Sequence, residues 1–208
     1  MTQRAPIFDE NYGKYLHQVA QMDFALLPER LGVEVRGDTV IVPIFGKPFR
    51  VTKNEVIDPG GKRASYAVSV ILCKYLLLCP NYHSVLDEWW SFKDFKSAAP
   101  LVTYFSDNVE RVISGHFSRR TDDLRKAAAA LGCRTPAMSL SYDFAACFDP
   151  LPRVPLLLVF NDADEEFESG CSVLFEKRAE NYLDMECLAM VGSLFAEFLK
   201  NASRRSGS

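Results

Sequence analysis

Histidine is scarce in this chain of 208 residues: there are three, His17, His83 and His116, and none stands near a nucleophile signature such as Gly-x-Ser-x-Gly. A Ser-His or Cys-His catalytic pair therefore has no visible support. A glycine-rich phosphate loop is missing too, because Pro59-Gly60-Gly61-Lys62 has neither the spacing nor the following Ser or Thr of a P-loop and reads as a turn. Basic blocks are absent. With 24 Lys and Arg against 27 Asp and Glu, the net charge is -3, and pairs such as Arg119-Arg120 do not build the positive stripe that nucleic acid requires. The six cysteines, Cys73, Cys79, Cys133, Cys147, Cys171 and Cys187, lack paired spacings, which excludes a disulfide framework and fits reduced thiols in a cytoplasmic protein. The first residues carry no secretory pattern, and the most apolar stretch, 67–78, is too short for a bilayer and holds Lys74. No membrane association is expected.

What is present is a mixed pattern. Tyr12, Tyr15, Leu16 and Val19 keep helical spacing over 9–21, with Asp9 as the expected N-cap, and Pro28 to Gly32 reads as a separate helical turn. From Val33 the period changes to two, and VEVR, TVIVPIF and PFRVT form a three-stranded meander around Gly37-Asp38 and Gly46-Lys47, followed by a loop, NEVIDPGGKR. Pro43 and Pro48 belong at an edge or a strand start. Residues 64–78 are apolar nearly all round, as in a helix packed on several sides. Helical spacing returns over 98–117, with a break near Ser106-Asp107, and again over 122–131, capped by Thr121 and closed by Gly132. Residues 138–148 alternate as a half-buried strand. The run from Val154 to Phe160 is a central strand and the run from Val173 to Phe175 pairs with it, before an amphipathic helix whose stripe includes Leu188, Val191, Phe195 and Leu199. The fold class is α+β: antiparallel sheets with flanking helices in a single domain over 1–200, and 201–208 as a disordered tail.

Chemistry concentrates in two places. Asp162, Asp164, Glu165 and Glu166 gather between two strands, where crowded carboxylates raise one another's pKa or recruit a hard cation. Their spacing does not make an EF-hand loop, and charged turns also serve to keep sheet edges from pairing with other chains. The second place is the aromatic stretch with Tyr82, His83, Asp87, Glu88, Trp89 and Trp90, which either lines a small-molecule pocket or anchors the core. Cys79 and His83 stand four apart, but two further ligands for a metal are not in reach by spacing, so no metal set is assigned.

The pattern LPRVPLLLVF, DADEEF and SVLFEKRAENYLDMECLA, preceded in order by EWWSFKDF and DLRKAAAALGC, resembles the uncharacterised prokaryotic family catalogued as domain of unknown function 3786. The likeness covers most of the chain from the first helix onward. Asp164, Glu165, Glu166 and Phe167, with Trp90 and Phe92, are the positions that match its signature. The resemblance implies a protein of anaerobic bacteria or archaea with no established activity, linked through some relatives to iron-sulfur modules and corrinoid enzymes. This chain has no cysteine cluster able to hold an iron-sulfur centre.

The reading is a non-catalytic cytoplasmic ligand-binding or accessory domain, with Asp162, Asp164, Glu165, Glu166, His83, Trp89 and Trp90 as ligand-binding candidates. Catalytic residues and cofactor are unassigned. The expected partners are a small molecule or another protein, as monomer or homodimer. Two alternatives stand beside it: an enzyme using Asp164 or Glu166 as general base with a divalent cation and His83 as proton donor, or a purely structural interaction domain.

Overall fold

The computed structural model describes residues 6–81, 88–138 and 140–206. Helix α1 (Pro6–Ala20) starts before Asp9, which therefore lies inside it and is not its cap. Helix α2 (Leu27–Leu31) opens on Pro28 in its first turn and is closed by Gly32 in the left-handed region, φ 67°. Strands β1 (Glu34–Arg36), β2 (Thr39–Ile44) and β3 (Lys47–Val51) form the meander, and β4 (Val56–Ile57) extends it into what the sequence presents as a loop. The second hairpin turns on Phe45-Gly46, one residue earlier than expected, because Ile44 pairs with Lys47. Pro43 lies opposite Pro48 in the interior of this sheet. Their missing N–H groups cost nothing there, since β1 reaches only Ile41 and β4 only Arg50 on the outer sides.

Helix α3 (Tyr66–Leu77) is capped by Ser65, whose hydroxyl accepts the Val68 N–H at 3.4 Å, and it buries nearly every side, from Val68 to Leu76. Helices α4 (Val102–Phe105) and α5 (Arg111–Phe117) are one helix interrupted by a π turn, Ser106–Glu110, at the break the sequence marks. Helix α6 (Thr121–Ala130) includes Thr121, so Thr121 is not the cap. Its hydroxyl donates to Asp162 Oδ2 at 2.6 Å, and Asp162 Oδ1 accepts the Arg119 N–H, so a carboxylate from a distant turn satisfies this helix start.

The second sheet has the order β5-β8-β7-β6, all antiparallel: β5 (Trp89–Ser91), β6 (Phe144–Leu151), β7 (Val154–Asn161) and β8 (Gly170–Glu176). The alternating stretch at 138–148 becomes a strand only from Phe144, and β6 then runs on past Pro150 to the hairpin into β7. The central position of β7 agrees with its near-continuous burial. Phe144, Ala146, Phe148, Leu156, Leu158, Phe160, Val173 and Phe175 face the main core, where the long helix α7 (Met185–Ser206) covers the sheet. Helix α7 includes 201–206, where a frayed tail is expected; Ser203 is buried and bonded to His116 Nε2 at 3.0 Å. The two sheets meet where the Phe45 N–H donates to the Pro150 carbonyl at 3.1 Å.

Candidate functional site

The opposite face of the second sheet carries a smaller apolar cluster of Cys147, Leu157 and Val159, packed with Trp89 and Leu174. At its end Trp89 lies opposite Glu176, which places both on this face. Trp90, one residue on, turns to the core side, where its ring packs 5.4 Å from Phe95 and lies under Lys177 Nζ at 4.6 Å. Lys177 also bonds Glu88, with its N–H to the Glu88 carbonyl at 2.8 Å and its ammonium to the carboxylate at 3.0 Å. The start of β5 is thus pinned to the end of β8, and the two tryptophans have separate jobs.

Around Trp89 a cavity of about 270 Å³ opens, lined also by Arg134, Met138, Asp149, Glu176 and Arg178. Arg134 is an isolated one-residue extension of the sheet beyond β6, exchanging both backbone bonds with Cys147 at 2.8 Å. Its guanidinium grips Asp149 through two bonds, 3.1 and 2.7 Å, and this pairing raises its pKa. The second pair, Arg178 and Glu176 at 2.9 Å, is almost withdrawn from water, with side chains 10% and 6% exposed. Two charge pairs, one half open and one buried, therefore flank an indole within one cavity. Such a wall offers donors and acceptors in fixed positions together with an apolar surface for stacking.

The acidic turn stands elsewhere. It joins β7 to β8 before Gly170, whereas Trp89 pairs with Glu176 at the other end of β8, six residues or roughly 20 Å away. Burial raises the Asp162 carboxyl, but the Thr121 hydroxyl and the N–H groups of Arg119 and Ala163 outweigh it and hold the pKa below its ordinary value. Asp164 Oδ1 accepts the N–H groups of Phe167 and Glu166 at 2.7 and 2.8 Å, which lowers its pKa as well. Glu165 and Glu166 are exposed, as is Phe167. The turn is folded around its own carboxylates. Tyr82, His83 and Asp87 lie outside the described residues. Among the described residues no three His, Cys, Asp or Glu side chains are placed to hold a metal ion, and no helix is long and apolar enough to cross a membrane. The cysteines are free thiols, and burial alone lifts Cys73 to about 12.

Arg134, Asp149, Glu176 and Arg178 carry no motif or spacing that marks them as site residues in the sequence. The segment that supplies most of them, from β6 through β7 and β8 into α7, carries the pattern on which the family resemblance rests. A family model described as domain of unknown function (DUF3786) matches residues 23–198. The chain belongs to this family. The match to the DUF3786 family begins after α1, slightly later than the resemblance implied, and it includes both sheets and the Trp89 cavity. No curated protein and no solved structure matches the chain significantly.

Proposed function

We propose that the protein is a non-catalytic domain that binds a small polar molecule in the Trp89 cavity. The observation that carries this reading is the Glu176–Arg178 pair, nearly buried on the wall of an open cavity. Burying an ion pair costs desolvation that its mutual attraction barely offsets, so such a pair is a poor device for stability alone. As fixed donors and acceptors held nearly out of water it is a good device for recognition. A volume of about 270 Å³ favours a metabolite smaller than a nucleotide. Trp89 supplies the stacking surface, Arg134 and Arg178 the donors, and Asp149 and Glu176 the acceptors. The role fits a cytoplasmic accessory protein acting as monomer or homodimer. A link to corrinoid or iron-sulfur enzymes rests on the family resemblance alone.

The acidic turn has a lesser part in this reading. Asp162 is bonded to the start of α6 and Asp164 to its own turn, which leaves Glu165 and Glu166 as the groups available to a partner. The test is to expose wild type and Trp89→Ala protein to the small-molecule fraction of a cell extract and identify by mass spectrometry what each retains. A compound enriched by wild type and lost in the variant supports the proposal. Identical retention by both proteins overturns it.

A further inference from the structure

Strand β5 ends at Ser91, opposite Leu174, so among the described residues β8 has no strand on that side before Leu174. Glu110, the last residue of the π turn, fills the gap: its Oε1 accepts the Val173 N–H at 3.1 Å. A π turn inserts an extra residue into a helical turn and re-aims the side chains around it, and such turns recur at functional sites. Packing holds this one in place. Phe105 stacks on Phe92 with centroids 4.3 Å apart, and a Cβ on Gly192 of α7 would stand 2.5 Å from its ring.

Beside Glu110 lies a cavity of about 240 Å³, lined also by Ser106, Ser172, Lys93, Phe92 and Phe105. It shares no lining residue with the Trp89 cavity. Burial raises the Glu110 carboxyl, against smaller opposing effects from the Val173 N–H and from Lys93. Among the described residues, Glu110 Oε2 and the hydroxyls of Ser106 and Ser172 make no hydrogen bond to the protein. Three acceptors therefore border one cavity with an aromatic floor, and a lysine stands within electrostatic reach of the carboxylate.

We infer that this cavity is a second binding site, and that it takes a small zwitterion of the amino-acid type. A primary ammonium has three donors, which match the three acceptors, and its charge is balanced by Glu110. The carboxylate end of the same molecule is directed to the exposed ammonium of Lys93. The site depends on neither the Trp89 cavity nor its proposed ligand.

The test is titration of the full, isotope-labelled chain with glycine, L-serine and ethanolammonium, followed by NMR through the Val173 amide, which reports directly on the Glu110 carboxylate. The expected result is a saturable shift with L-serine or glycine. Glu110→Gln keeps an acceptor for Val173 while removing the charge, and it weakens binding by about tenfold or more. Lys93→Ala, on an exposed residue, weakens the amino acids and leaves ethanolammonium unaffected. No saturable shift with any probe, or a shift unchanged in Glu110→Gln, overturns the site. Binding of ethanolammonium without the amino acids overturns the zwitterion assignment.

Discussion

Arg178 meets Glu176 two residues away across the end of β8, and at 2.9 Å the two side chains lie almost wholly out of water. Arg178→Met leaves the Glu176 carboxylate without this cation in a poorly hydrated place, and it is expected to cost about 3–5 kcal/mol of stability. Exchanging both residues for apolar ones removes both desolvation penalties, so Glu176→Leu with Arg178→Met is expected to lose less stability than Arg178→Met alone. Urea unfolding of the single and double variants measures the difference. A double variant as unstable as the single one would show that the pair is there to hold the fold.

Gly192 gives the sharpest packing prediction. Its Cβ position lies 2.5 Å from a ring atom of Phe105, which is itself 1% exposed and stacked on Phe92, so the ring must leave its packed position to admit a methyl group. Gly192→Ala is expected to destabilise by about 1–3 kcal/mol through overpacking, despite alanine's better helix propensity. Thermal unfolding reads the result. A stabilised variant would mean that α7 and the π turn are less tightly apposed than the structure has them.

Asp162 belongs to the acidic turn in sequence and to the start of α6 in function. Asp162→Ala removes the acceptor of the Thr121 hydroxyl and the Arg119 N–H, with an expected cost of about 1 kcal/mol, the usual size of a lost helix cap. Because the folded pKa is lowered, its contribution is full above the unfolded value and disappears as pH falls through the folded one. Wild type and variant therefore converge in stability in strong acid, which denaturation at a series of pH values checks.

His116 sits on α5 against Ser203 of α7. Burial depresses its pKa first, and Arg120, Lys200 and Arg204 add to the effect, with Asp123 opposing it. The neutral imidazole is thus favoured on folding, and the unfolded chain binds the proton more readily. Stability from this residue is present above the unfolded pKa, about 6.5, and is lost as pH falls towards the folded value. Unfolding curves between about pH 7.5 and about pH 5, roughly one unit either side of the unfolded pKa, should show a decline, and His116→Gln should flatten it.

The core elements could be read from local pattern because their burial repeats within each segment. The Val154 to Phe160 run, the all-round apolar α3 and the glycine closing α2 each have the structure their spacing implies. The start of α6 could not be read this way, since its acceptor, Asp162, arrives from 41 residues away. Strand β4 escaped because two residues leave no period, and the strand at Phe144 starts late because its ladder with β7 begins only at the Phe144–Phe160 pair. Trp89 was recognisable as an aromatic in a polar neighbourhood. Its cavity partners were not, because Arg134, Asp149, Glu176 and Arg178 are joined only by the order β5-β8-β7-β6.

The proposed role of the Trp89 cavity is to hold a small molecule. The most direct measurement is native mass spectrometry of protein purified without air or chelator, compared with its denatured mass, for wild type and Trp89→Ala side by side. The expected result is a non-covalent mass on the native wild type that is absent after denaturation and reduced or absent in Trp89→Ala. A bare wild-type mass, or the same added mass on both proteins, would contradict it.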